Sequence, residues 1–176
     1  MLEEIHGCPR LERPGAKSGD AAAAARDAGG VPDEQLLGDV RGAVDLLRAR
    51  PESNGKVGVI GYCSGGRQTF LVACTLDVDI DAAVDCYGGR ANVALAPNLR
   101  CPLLGLFGNE DRSPTPEDVD AMEQALEANG KTFEFHRYDG ADHAFFSVDR
   151  PSYDLDASKD GWKQIWSFLG QHLRGD

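Results

Sequence analysis

The chain has 176 residues, 41% of them hydrophobic, and 29 acidic against 18 basic side chains give it a formal net charge of −11. A single domain of this length buries roughly 68–70% of the surface its unfolded chain exposes, so it can build a core without disulfide or metal staples. The acidic balance repels nucleic acid and anionic membranes at long range, which argues against both as principal partners.

The first residues, Met1-Leu2-Glu3-Glu4-Ile5-His6, lack the basic region and apolar core of a signal peptide, and no stretch approaches the ~18 apolar residues of a membrane span. A cytoplasmic protein is expected. Residues 1–32 read as an irregular N-terminal segment, with Pro14-Gly15, Gly19, an alanine run over 21–25 and the loop signal Gly29-Gly30-Val31-Pro32. The domain proper then spans 33–176. Asp33-Glu34 opens a helix whose apolar positions Leu36, Leu37, Val40, Val44 and Leu47 recur at three and four, ending before Pro51. Lys56–Gly61 is a short apolar run of the kind buried on both faces of a parallel sheet. A helix is predicted from Ser64 to Leu76, and Ile80–Tyr87 and Pro102–Phe107 read as two further buried strands. Glu117–Asn129 reads as a helix with Val119, Met122 and Leu126 inward and Gly130 as its stop signal. Thr132–Tyr138 alternates as a fourth strand, and a last helix over Leu155–Leu173 is expected to bury Trp162, Ile165, Trp166 and Leu169. Strands alternating with helices give an α/β domain with a mostly parallel sheet.

Five cysteines without a C-x-x-C pair suggest neither a disulfide framework nor a zinc cluster, so each is weighed singly. Cys63 stands out. Gly61-Tyr62-Cys63-Ser64-Gly65-Gly66 lies directly after a predicted strand and before a helix, forming a G-x-C-x-G-G elbow. A nucleophile on such a turn adopts strained dihedrals, and the residues two before and two after are expected to lack side chains so that the backbones can pass closely. The turn aims Cys63 Sγ at a helix N-terminus, an environment that favours thiolate. The rival readings are a dinucleotide fingerprint, which the glycine spacing does not match, a serine elbow on Ser64, which would need glycine at Tyr62, and an inert buried cysteine.

An elbow nucleophile needs a base and an orienting carboxylate, in the order nucleophile, acid, histidine. Asp111 follows the strand ending at Phe107, and His143 follows the strand ending at Tyr138, so both fall on loops at the sheet edge where Cys63 emerges. Glu110 and Asp142 are the rival carboxylates; His6, His136 and His172 read as structural or surface residues.

The elbow, Gly108-Asn109-Glu110-Asp111 and the Asp139–Phe146 loop together resemble the dienelactone hydrolase (carboxymethylenebutenolidase) family of α/β-hydrolases. The intervals of 48 residues from Cys63 to Asp111 and 32 from Asp111 to His143 fit that resemblance, as do Lys56–Tyr62 and Arg150-Pro151-Ser152-Tyr153. It implies an α/β-hydrolase three-layer sandwich lacking its first strands, and a Cys63–His143–Asp111 triad that opens a small ester or lactone through a thioester, with no cofactor. It also implies one oxyanion donor at Ser64 N–H and Tyr87 as a substrate-pocket residue. Arg67 and Arg90 are candidate anion anchors. Dienelactone-cleaving members carry an arginine four residues after the histidine, where this chain has Ser147, so the substrate is open. Nothing in residues 1–32 resembles the family's loop that donates the second oxyanion N–H, and losing one such donor costs roughly 2.7–4 kcal/mol of transition-state stabilisation. Missing strands would leave an apolar edge that favours a homodimer. Two other readings therefore stay open: a shortened, catalytically weak binding or assembly module, and a thiol-redox role pairing Cys63 with Cys86.

Overall fold

The computed structural model describes residues 31–77 and 79–175. The irregular segment expected over 1–32 falls, up to residue 30, outside the described residues, as do His6 and Cys8. Two units divide the chain, Met1–Leu36 and Leu37–Asp176, and every strand among the described residues belongs to the second.

Four strands, β1 (Gly58–Tyr62), β2 (Ala82–Cys86), β3 (Leu103–Gly108) and β4 (Phe133–Tyr138), pair in sequence order, all parallel. The helices among the described residues are α1 (Asp33–Arg48), α2 (Ser64–Thr75), α3 (Pro116–Ala128) and α4 (Leu155–Leu173). A 3-10 segment, Val93–Asn98, which the apolar pattern did not reveal, connects β2 to β3. The parallel α/β architecture matches the pattern read from the sequence. Every residue of β2 and β3 is buried, which explains why neither strand alternates apolar with polar positions; Asp85 of β2 is the one acidic residue among them.

Side-chain alternation assigns the two faces. Ala82, Val84, Cys86, Leu104 and Leu106 share one core cluster with Phe145 and with Ile165 and Phe168 of α4. Gly58 brings β1 against the same helix: a Cβ there would stand 2.9 Å from Leu173 Cδ1 and 3.3 Å from Leu169 Cδ2. Residues of opposite parity face α2, which packs on β1 and β2. Thr115 caps α3 by accepting the Asp118 N–H, and Asp118 returns the bond to Thr115 N–H. Asp154 caps α4 through Ala157 N–H.

Burial departs from expectation on two helices. Ile165 is buried, but Trp162 and Trp166 are 43% and 69% exposed, stacked on each other with ring centroids 6.2 Å apart. On α1 only Val44 is buried and Leu47 stays exposed. Helical spacing identifies which side chains share a face; what covers that face depends on neighbours that spacing does not contain.

Candidate active site

Because β1, β3 and β4 run parallel, their carboxyl ends open on one edge of the sheet, where three loops converge. Cys63 joins β1 to α2 with φ 58° and ψ −121°, a strained conformation for a residue with a side chain. The chain accepts it because Gly61 lets β1 pass α2: a Cβ on Gly61 would stand 2.0 Å from Gly65 O. The second close approach differs from the sequence argument. A Cβ on Gly65 would meet nothing within 4 Å, whereas one on Gly66 would stand 2.1 Å from Asp85 Oδ1, so the sterically required glycines are 61 and 66.

His143 Nε2 lies 3.0 Å from Cys63 Sγ, and its Nδ1 lies 2.8 Å from Asp111 Oδ2. A carboxylate only accepts, so Nδ1 carries the proton in this pair and Nε2 is left to exchange one with the thiol. The second oxygen of Asp111 accepts the Ser113 N–H at 2.8 Å, which fixes the carboxylate in a site where the residue is 4% exposed. Of the rival acids, Glu110 is exposed and Asp142 accepts the backbone N–H of His143 rather than touching its ring. His136 instead faces Glu134 at 2.6 Å and His172 packs on Phe168.

Ser64 N–H stands in the first turn of α2. Gly66 and Arg67 N–H bond back to Cys63 O, while the amides of Ser64 and Gly65, earlier in the same turn, have no intrahelical acceptor. A cavity of about 470 Å³ opens over Cys63 and His143, with Arg67, Arg90 and Arg112 on its walls. Three arginines thus share the lining with two acids, Asp111 and Asp142, in a chain of net charge −11, so basic side chains are locally concentrated around Cys63. Arg112 was not singled out from the sequence; its signal was its position directly after the acid. Tyr87 lies behind this cavity. It is 2% exposed, with its ring centroid 5.2 Å from that of His143 and 5.3 Å from that of Phe145. Burial pushes its phenol well above the ordinary value, so it is a neutral wall behind the imidazole. Cys86 is fully buried and burial likewise pushes its thiol up, which argues against a resolving thiolate beside Cys63. Among the described residues no group of three or more His, Cys, Asp or Glu side chains is arranged to hold a metal, and no helix is long and apolar enough to cross a membrane.

Comparison with known proteins gives this arrangement its relatives. Residues 10–173 match the model of the dienelactone hydrolase family. The chain belongs to the dienelactone hydrolase family. Its curated relatives include a protein of Methylorubrum extorquens provisionally named carboxymethylenebutenolidase, 33% identical over 153 residues, and one of the same name from Escherichia coli, 34% identical over 156. Each match takes in 81% of this chain but only 52% and 56% of the relative, so the chain spans about half the length of these dienelactone hydrolase relatives. Among solved structures, a provisionally assigned dienelactone hydrolase from Klebsiella pneumoniae superposes with a TM-score of 0.74 at 35% identity, covering 82% of this chain and 64% of that one. The α/β-hydrolase fold is thereby shared with the family.

Proposed function

We propose that the chain is a cysteine-dependent hydrolase of small esters or lactones, with Cys63 as nucleophile, His143 as general base and acid, and Asp111 as the residue that orients the imidazole. The observation that supports this reading is the continuous chain of contacts from Asp111 Oδ2 through both ring nitrogens of His143 to Cys63 Sγ, at 2.8 and 3.0 Å. His143 Nε2 takes the thiol proton as Cys63 Sγ bonds to the carbonyl carbon, and the oxyanion forms against Ser64 N–H. Collapse of the tetrahedral intermediate breaks the C–O bond of the ester or lactone, and the proton on Nε2 passes to the leaving alkoxide. Water then gives a proton to Nε2 and attacks the thioester, and the returning proton restores the Cys63 thiol as the acid departs.

Arg67, Arg90 and Arg112 favour a substrate that carries an anionic group, such as a carboxylate, on the side remote from the scissile bond. No cofactor enters this scheme. The test is hydrolysis of 4-nitrophenyl acetate by the purified chain and by Cys63→Ala, at one concentration after size-exclusion chromatography. Turnover that vanishes in Cys63→Ala is expected; equal background rates in both would sink the reading and leave the binding-module reading in its place.

A further inference from the structure

Asp85 is a fully buried acid, 0% exposed, in the middle of strand β2, and the triad makes no use of it. Its immediate neighbours are glycines drawn from four segments. Gly61 of β1 and Gly105 of β3 are its partners in register on either side. Gly66 of α2 and Gly88 beyond β2 close over it, for a Cβ at either would stand 2.1 or 2.3 Å from Asp85 Oδ1. That oxygen accepts the Gly88 N–H at 2.8 Å, while Oδ2 has no partner among the described residues. A buried carboxyl with one oxygen unsatisfied is unfavourable, and more so when ionised.

What those glycines carry accounts for its placement. Gly66 sits in the first turn of α2, three residues after Cys63, so the carboxyl packed on it fixes how closely the nucleophile elbow approaches β2. The same approach is closed by Cys63 N–H donating to Cys86 O at 3.0 Å. On the other side, the bond to Gly88 N–H spans Tyr87, whose backbone is held at φ 43°, and precedes Arg90 at φ 60°. Neither conformation is favoured for a residue with a side chain, so each needs support from around it. Tyr87 in that conformation packs on His143, and Arg90 enters the cavity wall.

We propose that Asp85 is a positioning residue for the hydrolytic site: one buried carboxyl, bonded to Gly88 N–H and packed on Gly66, holds the Cys63 elbow and the Tyr87–Arg90 segment in mutual register, so that thiol and imidazole stay within reach of each other. The inference rests on the hydrolase reading above. It requires an acceptor at Oδ1, and it requires that the group be neutral while the site works, since the residues closed on it are glycines and the arginines of the same segments, Arg67 and Arg90, line the cavity instead. Cys86 on its own strand is the titratable neighbour it couples to, and burial pushes the Asp85 carboxyl up to about 7.

The experiment compares wild type, Asp85→Asn and Asp85→Ala in 4-nitrophenyl acetate hydrolysis and in alkylation of Cys63 by iodoacetamide, located by mass spectrometry. Asparagine keeps the acceptor and cannot ionise; alanine removes it. In folded Asp85→Ala, kcat is expected to fall at least tenfold with KM within twofold, and Asp85→Asn is expected to recover at least half of the wild-type kcat at pH 6. An Asp85→Ala variant with kcat within twofold of wild type overturns the proposal, and so does an asparagine variant as impaired as the alanine one. If Asp85→Ala does not fold, the ratio of wild-type to Asp85→Asn kcat decides: it is expected to drop at least threefold from pH 6 to pH 8.5 as the wild-type carboxyl ionises, and a constant ratio overturns the proposal. Should Cys63→Ala hydrolyse the ester as fast as wild type, the hydrolase reading has failed by itself. The positioning role is then read from Cys63 alkylation, slowed at least fivefold in Asp85→Ala if it holds and unchanged if it does not, with the same pH ratio taken on alkylation rates where alanine fails to fold.

Discussion

A methyl group on Gly61 would have to occupy space 2.0 Å from Gly65 O and 2.6 Å from Thr69 Oγ1. Backbone cannot yield as a flexible side chain can, so Gly61→Ala is expected to separate α2 from β1, at about 1–3 kcal/mol for such overpacking. For a chain of this length that lowers Tm by roughly 2–12 °C, and ester hydrolysis should fall with it because Cys63 shifts. Gly65→Ala is the paired control: its Cβ meets open space, and alanine suits a helix better than glycine by up to about 1 kcal/mol, so its Tm should hold or rise. Equal melting of the two variants in differential scanning calorimetry would show that the elbow's glycines act by some route other than backbone contact. Asp111→Asn probes the next link. The amide can present its NH2 group to Nδ1, which favours the wrong imidazole tautomer, and kcat is expected to fall by about 10²–10⁴ with KM little changed. A drop confined to KM would mean that Asp111 serves substrate binding instead.

At the level of elements, β1 has β2 on one side and, among the described residues, no strand on the other. Ile60, in register with Val84 on the face that α4 covers, is 41% exposed there, and α4 also exposes Trp162 and Trp166. An open strand edge beside exposed aromatic rings favours pairing with a second copy, whose own edge and rings are the same surface related by a two-fold axis. Sedimentation velocity should therefore show concentration-dependent dimers, and the double variant Trp162→Glu with Trp166→Glu should be monomeric; a wild type that stays monomeric at about 100 µM would remove the surface from consideration. This same helix marks where the sequence stopped being readable. Its period was plain and Ile165 is buried as that period requires, yet the tryptophans that share the apolar stripe lie outside, because coverage is decided by elements that local pattern does not describe. Strands β2 and β3 were legible because complete burial makes them predominantly apolar and non-alternating. Cys63, Asp111 and His143 were legible because chain order and strand ends bring three loops to one edge. Asp85 was not, since a lone acid in an apolar strand shows nothing of the four glycines, from four segments, that close around it.

The whole molecule answers to pH through this one carboxyl more than its surface charge suggests. Asp85 is desolvated and its carboxyl is raised from an ordinary 3.8 to about 7, with only the Gly88 N–H acting in the opposite direction. The native state therefore holds a proton that the unfolded chain releases. Between those two values the native state binds more protons than the unfolded one, so stability falls as pH rises from about 4 to about 7 and the loss is complete above that. At 1.36 kcal/mol per pH unit the gap corresponds to about 4 kcal/mol, a large share of the 5–15 kcal/mol typical of a whole domain. Asp85→Asn removes the titration while leaving every other group in place, so the difference between wild-type and variant unfolding free energies isolates it. Urea titrations at pH 5, 6, 7 and 8 should show the wild type losing ground steadily against Asp85→Asn until about pH 7 and then running parallel to it. A difference that is flat across this range would mean that the carboxyl is ionised in the native state throughout, with a partner for its second oxygen.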